Sequence, residues 1–184
     1  MSNPLLIKEN KDIILEQLEM EDNATTNFIL NAAWEYIVNY IGYDPMLAPR
    51  KEFLKGNGTD RLYLHCRPIV SIEKLIVDTK EIIADFTDRY INVFTNKNYE
   101  LYELPTMYDH STTSNITVDY AAGYTKLPSL ILMASISLIG SLQDTGSDES
   151  KLKSYKINTI SYTFKEFTEK NQEFNDLMRA FLWK

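Results

Sequence analysis

The run LPSLILMASISLIGSL, Leu127 to Leu142, places the tightest limit on the fold. As a helix it is apolar around nearly its whole circumference, so it must be covered on several sides, by its own domain or by neighbouring subunits. It is shorter than the ~20 residues of a spanning helix and carries Ser129, Ser135, Ser137 and Ser141, which makes it a buried helix and not a membrane one. Pro128 stands in its first turn, where the missing N–H costs nothing. A chain of 184 residues, 44% apolar and 24% charged, is long enough for the one substantial core such a helix needs. A single domain over 1–184 is the expectation.

Upstream, Ile29, Ala33, Tyr36, Ile37, Tyr40 and Ile41 recur at three- and four-residue spacing behind the capping-type residues Asp22, Asn23, Thr25 and Thr26. The pattern predicts a helix from Asp22 to Gly42, with a shorter one over Lys11 to Leu18 before it. YDPMLAPRKEF, 43–53, then carries two prolines that prevent its continuation.

The middle of the chain is strand-like instead. RLYLHC, IVSIEKLIVD, RYINVFTN, YELYEL and NITVDYAAGY predict a small antiparallel sheet built from hairpins. Gly56 and the turn dipeptide Asn57-Gly58 precede the first of these strands, and Pro68 separates it from the second, so residues 56–78 read as a hairpin. After the apolar helix, QDTGSDESKLKSYK, 143–156, reads as a polar mobile loop and INTISYTF as strand-like. Residues 166–184 form a helix with Phe167, Phe174, Leu177, Met178 and Phe181 on one face. With Leu182 and Trp183 this end is apolar enough to need a cover. The fold class is α+β: mainly an α-helical bundle with a small antiparallel β-hairpin region inserted between the helices.

Charge and composition narrow the function. Nineteen basic against twenty-six acidic residues, net −7, argue against a protein that gains its affinity by neutralising phosphates. The single cysteine, Cys66, forms no intramolecular disulfide and suits a reducing cytoplasm. The opening MSNPLLIKENKDII lacks a basic region followed by an apolar core, so no signal peptide is expected.

Reactive centres are scarce. Asp144-Thr145-Gly146 matches the turn by which aspartic proteases present a carboxylate, but that chemistry needs two such carboxylates on a rigid β framework, and this one opens a polar loop. His65 and His110 are not spaced as metal ligands, and Asp144, Asp148 and Glu149 lack the pattern of a calcium loop. Cys66 and His65 are strand neighbours that point to opposite faces, which keeps them from forming a thiolate–imidazole pair. Gly56 and Gly58 lack the Lys-Ser/Thr and helix start of a phosphate loop. No catalytic, cofactor-binding or metal-ligating residue is assigned, and no cofactor is expected.

The order of elements says more than any one residue. The helix ILNAAWEYIVNYIG, the stretch 56–78, the segment ITVDYAAGYTKLPSLILMASISLIGSL, then INTISYTF and FNDLMRAFLW together resemble the head-tail connector (adaptor) proteins of tailed bacteriophages. Two signatures carry the resemblance, over roughly residues 12 to 183. One is a glycine-rich turn, a leucine-containing strand and an Arg-Pro-Ile joint, matched by Gly56, Gly58, Leu62, Leu64, Arg67, Pro68 and Ile69. The other is a tyrosine, a glycine-tyrosine pair and a proline before a long apolar helix, matched by Tyr120, Gly123, Tyr124 and Pro128. Departures are His65-Cys66, where the family often has a proline, and a longer segment from Asp85 to Ser114.

The resemblance implies a structural virion protein without enzymatic activity, assembled in the host bacterial cytoplasm and residing in the virion neck. It implies a homo-oligomeric ring, commonly a dodecamer, beneath the portal, which extends the channel through which double-stranded DNA passes without sequence-specific binding. Partners are then the chain itself, the portal protein and the next neck or tail-completion protein. The residues implied in portal docking are Phe174, Leu177, Met178, Phe181, Leu182 and Trp183, and those of the 56–78 stretch serve as framework. A neck or tail-completion protein one layer lower is the alternative.

Overall fold

The computed structural model describes residues 3–56, 58–94, 104, 115–144 and 167–182. These fall into two compact units, Met1–Tyr43 with Leu127–Lys184, and Asp44–Lys126.

The first unit is helical, with α1 (Lys8–Gln17), α2 (Ala24–Ile41), α3 (Ser129–Asp144) and α4 (Gln172–Met178). Helix α2 begins where its sequence signals place it: the Asn23 side chain accepts the Thr26 N–H at 2.9 Å, satisfying one of the donors a helix start leaves over. It ends at Gly42, whose φ of 91° is the left-handed conformation that suits glycine, and whose N–H returns to the Val38 carbonyl. Ile29, Leu30, Ala33, Trp34, Ile37 and Ile41 form its buried stripe.

Helix α3 buries Ile131, Ala134, Ser135, Leu138 and Ile139. Two of its serines cost little in the core, because Ser135 donates to the Ile131 carbonyl at 2.7 Å and Ser141 to the Leu138 carbonyl at 2.6 Å. The Pro128 carbonyl, just before the helix, accepts the Ile131 and Leu132 N–H groups. Cover is not complete all round: Leu130 and Met133 remain exposed.

The second unit is made of strands: β1 (Ala48–Leu54), β2 (Arg61–Tyr63), β3 (Ile69–Val77), β4 (Lys80–Glu81), β5 (Ile83–Phe86), β6 (Tyr90–Phe94) and β7 (Ile116–Ala122). They form a four-stranded sheet in the order β1-β7-β3-β4 and a three-stranded sheet in the order β2-β6-β5, with every pairing antiparallel. Strand β7 is central and alternates strictly, with Ile116, Val118, Tyr120 and Ala122 buried.

The α+β class therefore holds, and among the described residues the strand region is larger than the small hairpin region expected, with seven strands in two sheets that fall in a unit of their own. The expected hairpin over 56–78 is also corrected. Strand β2 lies in the three-stranded sheet and β3 in the four-stranded one, so the two do not pair. Leu64 and Cys66 are buried in the irregular link between them, which makes that link a crossing between sheets and not a surface turn. The hairpins are elsewhere: β3–β4, closed by Asp78-Thr79, and β5–β6.

Strand β1 was hidden by its prolines. Pro49 sits in it without harm because β1 is an edge strand, bonded only to β7. The strand-like segments YELYEL, apart from a buried Leu104, and INTISYTF lie outside the described residues. So does the polar loop, except that Gln143 and Asp144 continue α3.

Candidate functional site

The residues of the two signatures, apart from Pro128, lie in the sheet unit. Tyr120, at 0% exposure, points its hydroxyl at the carboxylate of Glu52 on the neighbouring strand β1, to which it donates a hydrogen bond. The same carboxylate accepts the His65 backbone N–H at 3.2 and 3.3 Å, and its Oε2 lies 3.0 Å from the His65 Nδ1. One carboxylate thus ties together β7, β1 and the link between β2 and β3. Just beyond, the Pro68 carbonyl accepts the Gly123 N–H at 2.9 Å, which joins the Arg-Pro-Ile joint directly to the glycine-tyrosine pair.

Gly123 is there because nothing larger fits. Its φ is 118°, and a Cβ on it would stand 2.5 Å from the Met46 carbonyl carbon and oxygen and 2.7 Å from the Leu47 nitrogen. The close approach is locked by two backbone bonds, Tyr124 N–H to the Pro45 carbonyl at 2.8 Å and Leu47 N–H to the Tyr124 carbonyl at 2.9 Å. Arg50 closes this corner by donating through Nη2 to the Asp44 carbonyl at 2.7 Å, while its buried Nε has no hydrogen-bond partner.

The rest of the first signature is spread through the unit. Leu62, Leu64 and Ile69 are core, Arg67 and Pro68 are half-buried, and the bond between these two is cis. Gly56 donates its N–H to the Asn115 side chain at 2.9 Å, and Gly58 has a φ of 73°. Glu52 and Asn115, which hold these motifs, were not foreseen. Both lie in stretches whose signals concern only the backbone: prolines around Glu52, a strand start at Asn115.

Burial sets the protonation of two groups in the joint. Burial, and then the Glu52 acceptor, push the Tyr120 phenol well above its ordinary range, so that it stays a donor. Burial likewise pushes the Cys66 thiol up, against the opposing influence of Arg50. A thiol held protonated is a poor nucleophile, and His65 beside it engages Glu52 with a side chain that is 61% exposed. The arrangement fixes the geometry of the joint. Asp144 is the last residue of α3, not part of a β framework, and His110 lies outside the described residues. Among the described residues no group of His, Cys, Asp and Glu is placed to hold a metal ion, and no helix is long and apolar enough to cross a membrane.

The residues expected to dock on the portal divide. Phe174, Met178 and Phe181 are buried within their own unit, Leu177 and Leu182 are half-buried, and Trp183 lies outside the described residues. Tyr36 and Tyr40 of α2, with Tyr43 just beyond its end, hold this segment. The Tyr36 hydroxyl is 2.7 Å from Thr168 Oγ1, Tyr40 donates to Asn175 Oδ1 at 2.5 Å and Tyr43 to the Phe181 carbonyl at 3.2 Å. The Tyr40 ring meets Phe174 edge-on, centroids 5.4 Å apart.

No protein-family model matches the chain, and no curated protein matches it either. Among solved structures, the chain is similar to one described as the neck of native GTA particle computed with C12 symmetry, at TM-score 0.47 and 15% identity, over 89% of this chain and 91% of that one. A second, the neck of empty GTA particle computed with C6 symmetry, gives TM-score 0.49 and 12% identity over 89% and 92%. At TM-scores below 0.5 this likeness decides neither fold nor function.

Proposed function

We propose that the chain is a structural component of a phage neck, a head-tail connector that closes into a ring beneath the portal and leaves a channel for DNA. The observation that carries this reading is the hydrogen bond from Gly123 to the Pro68 carbonyl, with the shared Glu52 carboxylate beside it. Residues distant in sequence, singled out only by their resemblance to connector signatures, serve one another as a single joint. Ring closure would rest on one heterologous interface repeated by rotation.

Docking on the portal falls to the surface around the half-buried Leu177 and Leu182. Phe174, Met178 and Phe181 support that surface from below. Pulling these three out of the core would cost on the order of 6 kcal/mol, at roughly 2 kcal/mol for each buried side chain. The test is mass photometry and negative-stain microscopy of the purified chain, alone and mixed with the candidate portal protein. A ring, or a ring-shaped layer added beneath the portal, is the expected result. A chain that ignores the portal but adds to a tail assembly would place it one layer lower.

A further inference from the structure

We draw no further inference here: the strongest candidate, the uncharged stripe of Leu130, Met133 and Ser137 on α3, carries none, because nothing in the structure shows what covers it.

Discussion

Three residues concentrate the strain and satisfaction of the sheet unit. Thr79 closes the β3–β4 hairpin at φ 74°, after Asp78 at 47°, where a two-residue turn wants an Asn-Gly type of pair and a β-branched side chain is poorly suited. Thr79→Gly is therefore expected to stabilise the chain by about 1 kcal/mol, read as a higher urea midpoint with unchanged slope. Gly123→Ala should do the opposite, by about 3 kcal/mol or more, because its Cβ would meet backbone that cannot step aside. A midpoint within experimental error of wild type would mean the Met46 corner is looser than drawn. For Tyr120 the sign follows from its raised folded-state pKa: this group's stabilisation is complete below about pH 10, the ordinary phenol value, and is lost as pH rises beyond it. Tyr120→Phe should cost about 1–3 kcal/mol near neutrality through loss of the phenol's bond to the Glu52 carboxylate, which keeps only its His65 partners, and flatten the alkaline fall in stability. Ultraviolet titration of phenolate against unfolding would show it. The smaller upward shifts of Tyr36 and Tyr40 act in the same direction and remain in that variant.

At the scale of elements, α1, α2 and α3 were legible and the sheets only partly so, while the helix expected over 166–184 is confined to Gln172–Met178, with Asn171 capping it after a separate helical turn at 167–170. Asn23 and Gly42 announce the ends of α2 because a cap and a left-handed stop are local chemistry, written within four residues of where they act. Asn23→Ala should lower the thermal midpoint by the ~1 kcal/mol a cap supplies. Alternation foretold β7 and β3, yet no local signal says which strands pair, and so β2 and β3 were read as partners when β2 pairs with β6 and β3 lies between β7 and its hairpin partner β4. Pro49 concealed β1 for a related reason: a proline is forbidden in a ladder but harmless on an edge, and edges are decided by topology. With β1 went Glu52, the acceptor at the centre of the joint. The glycines and the tyrosine could be picked out, but not the carboxylate they needed. The C-terminal stripe could be recognised as apolar, but not that Phe174, Met178 and Phe181 are buried within the helical unit, held there by tyrosines from α2 and the residue after it. Removing residues 181–184 is accordingly expected to destabilise the helical unit as well as any docking. Loss of portal binding alone, with an unaltered melting curve, would show that this end is free of its own core.

On the scale of the whole molecule, the division into two units matters more than any single contact. The order of the units along the chain also has a bearing on how the protein is made. The sheet unit is one continuous stretch, 44–126, whereas the helical unit is interrupted by it and waits for everything from Leu127 onward. As the ribosome delivers the chain from its N-terminus, the strands can complete their pairings while Ile29, Leu30, Trp34 and Ile37 of α2 still lack α3. The nascent protein thus passes through a stage with a finished sheet unit and a bare hydrophobic helix, the interval in which a chaperone has something to hold.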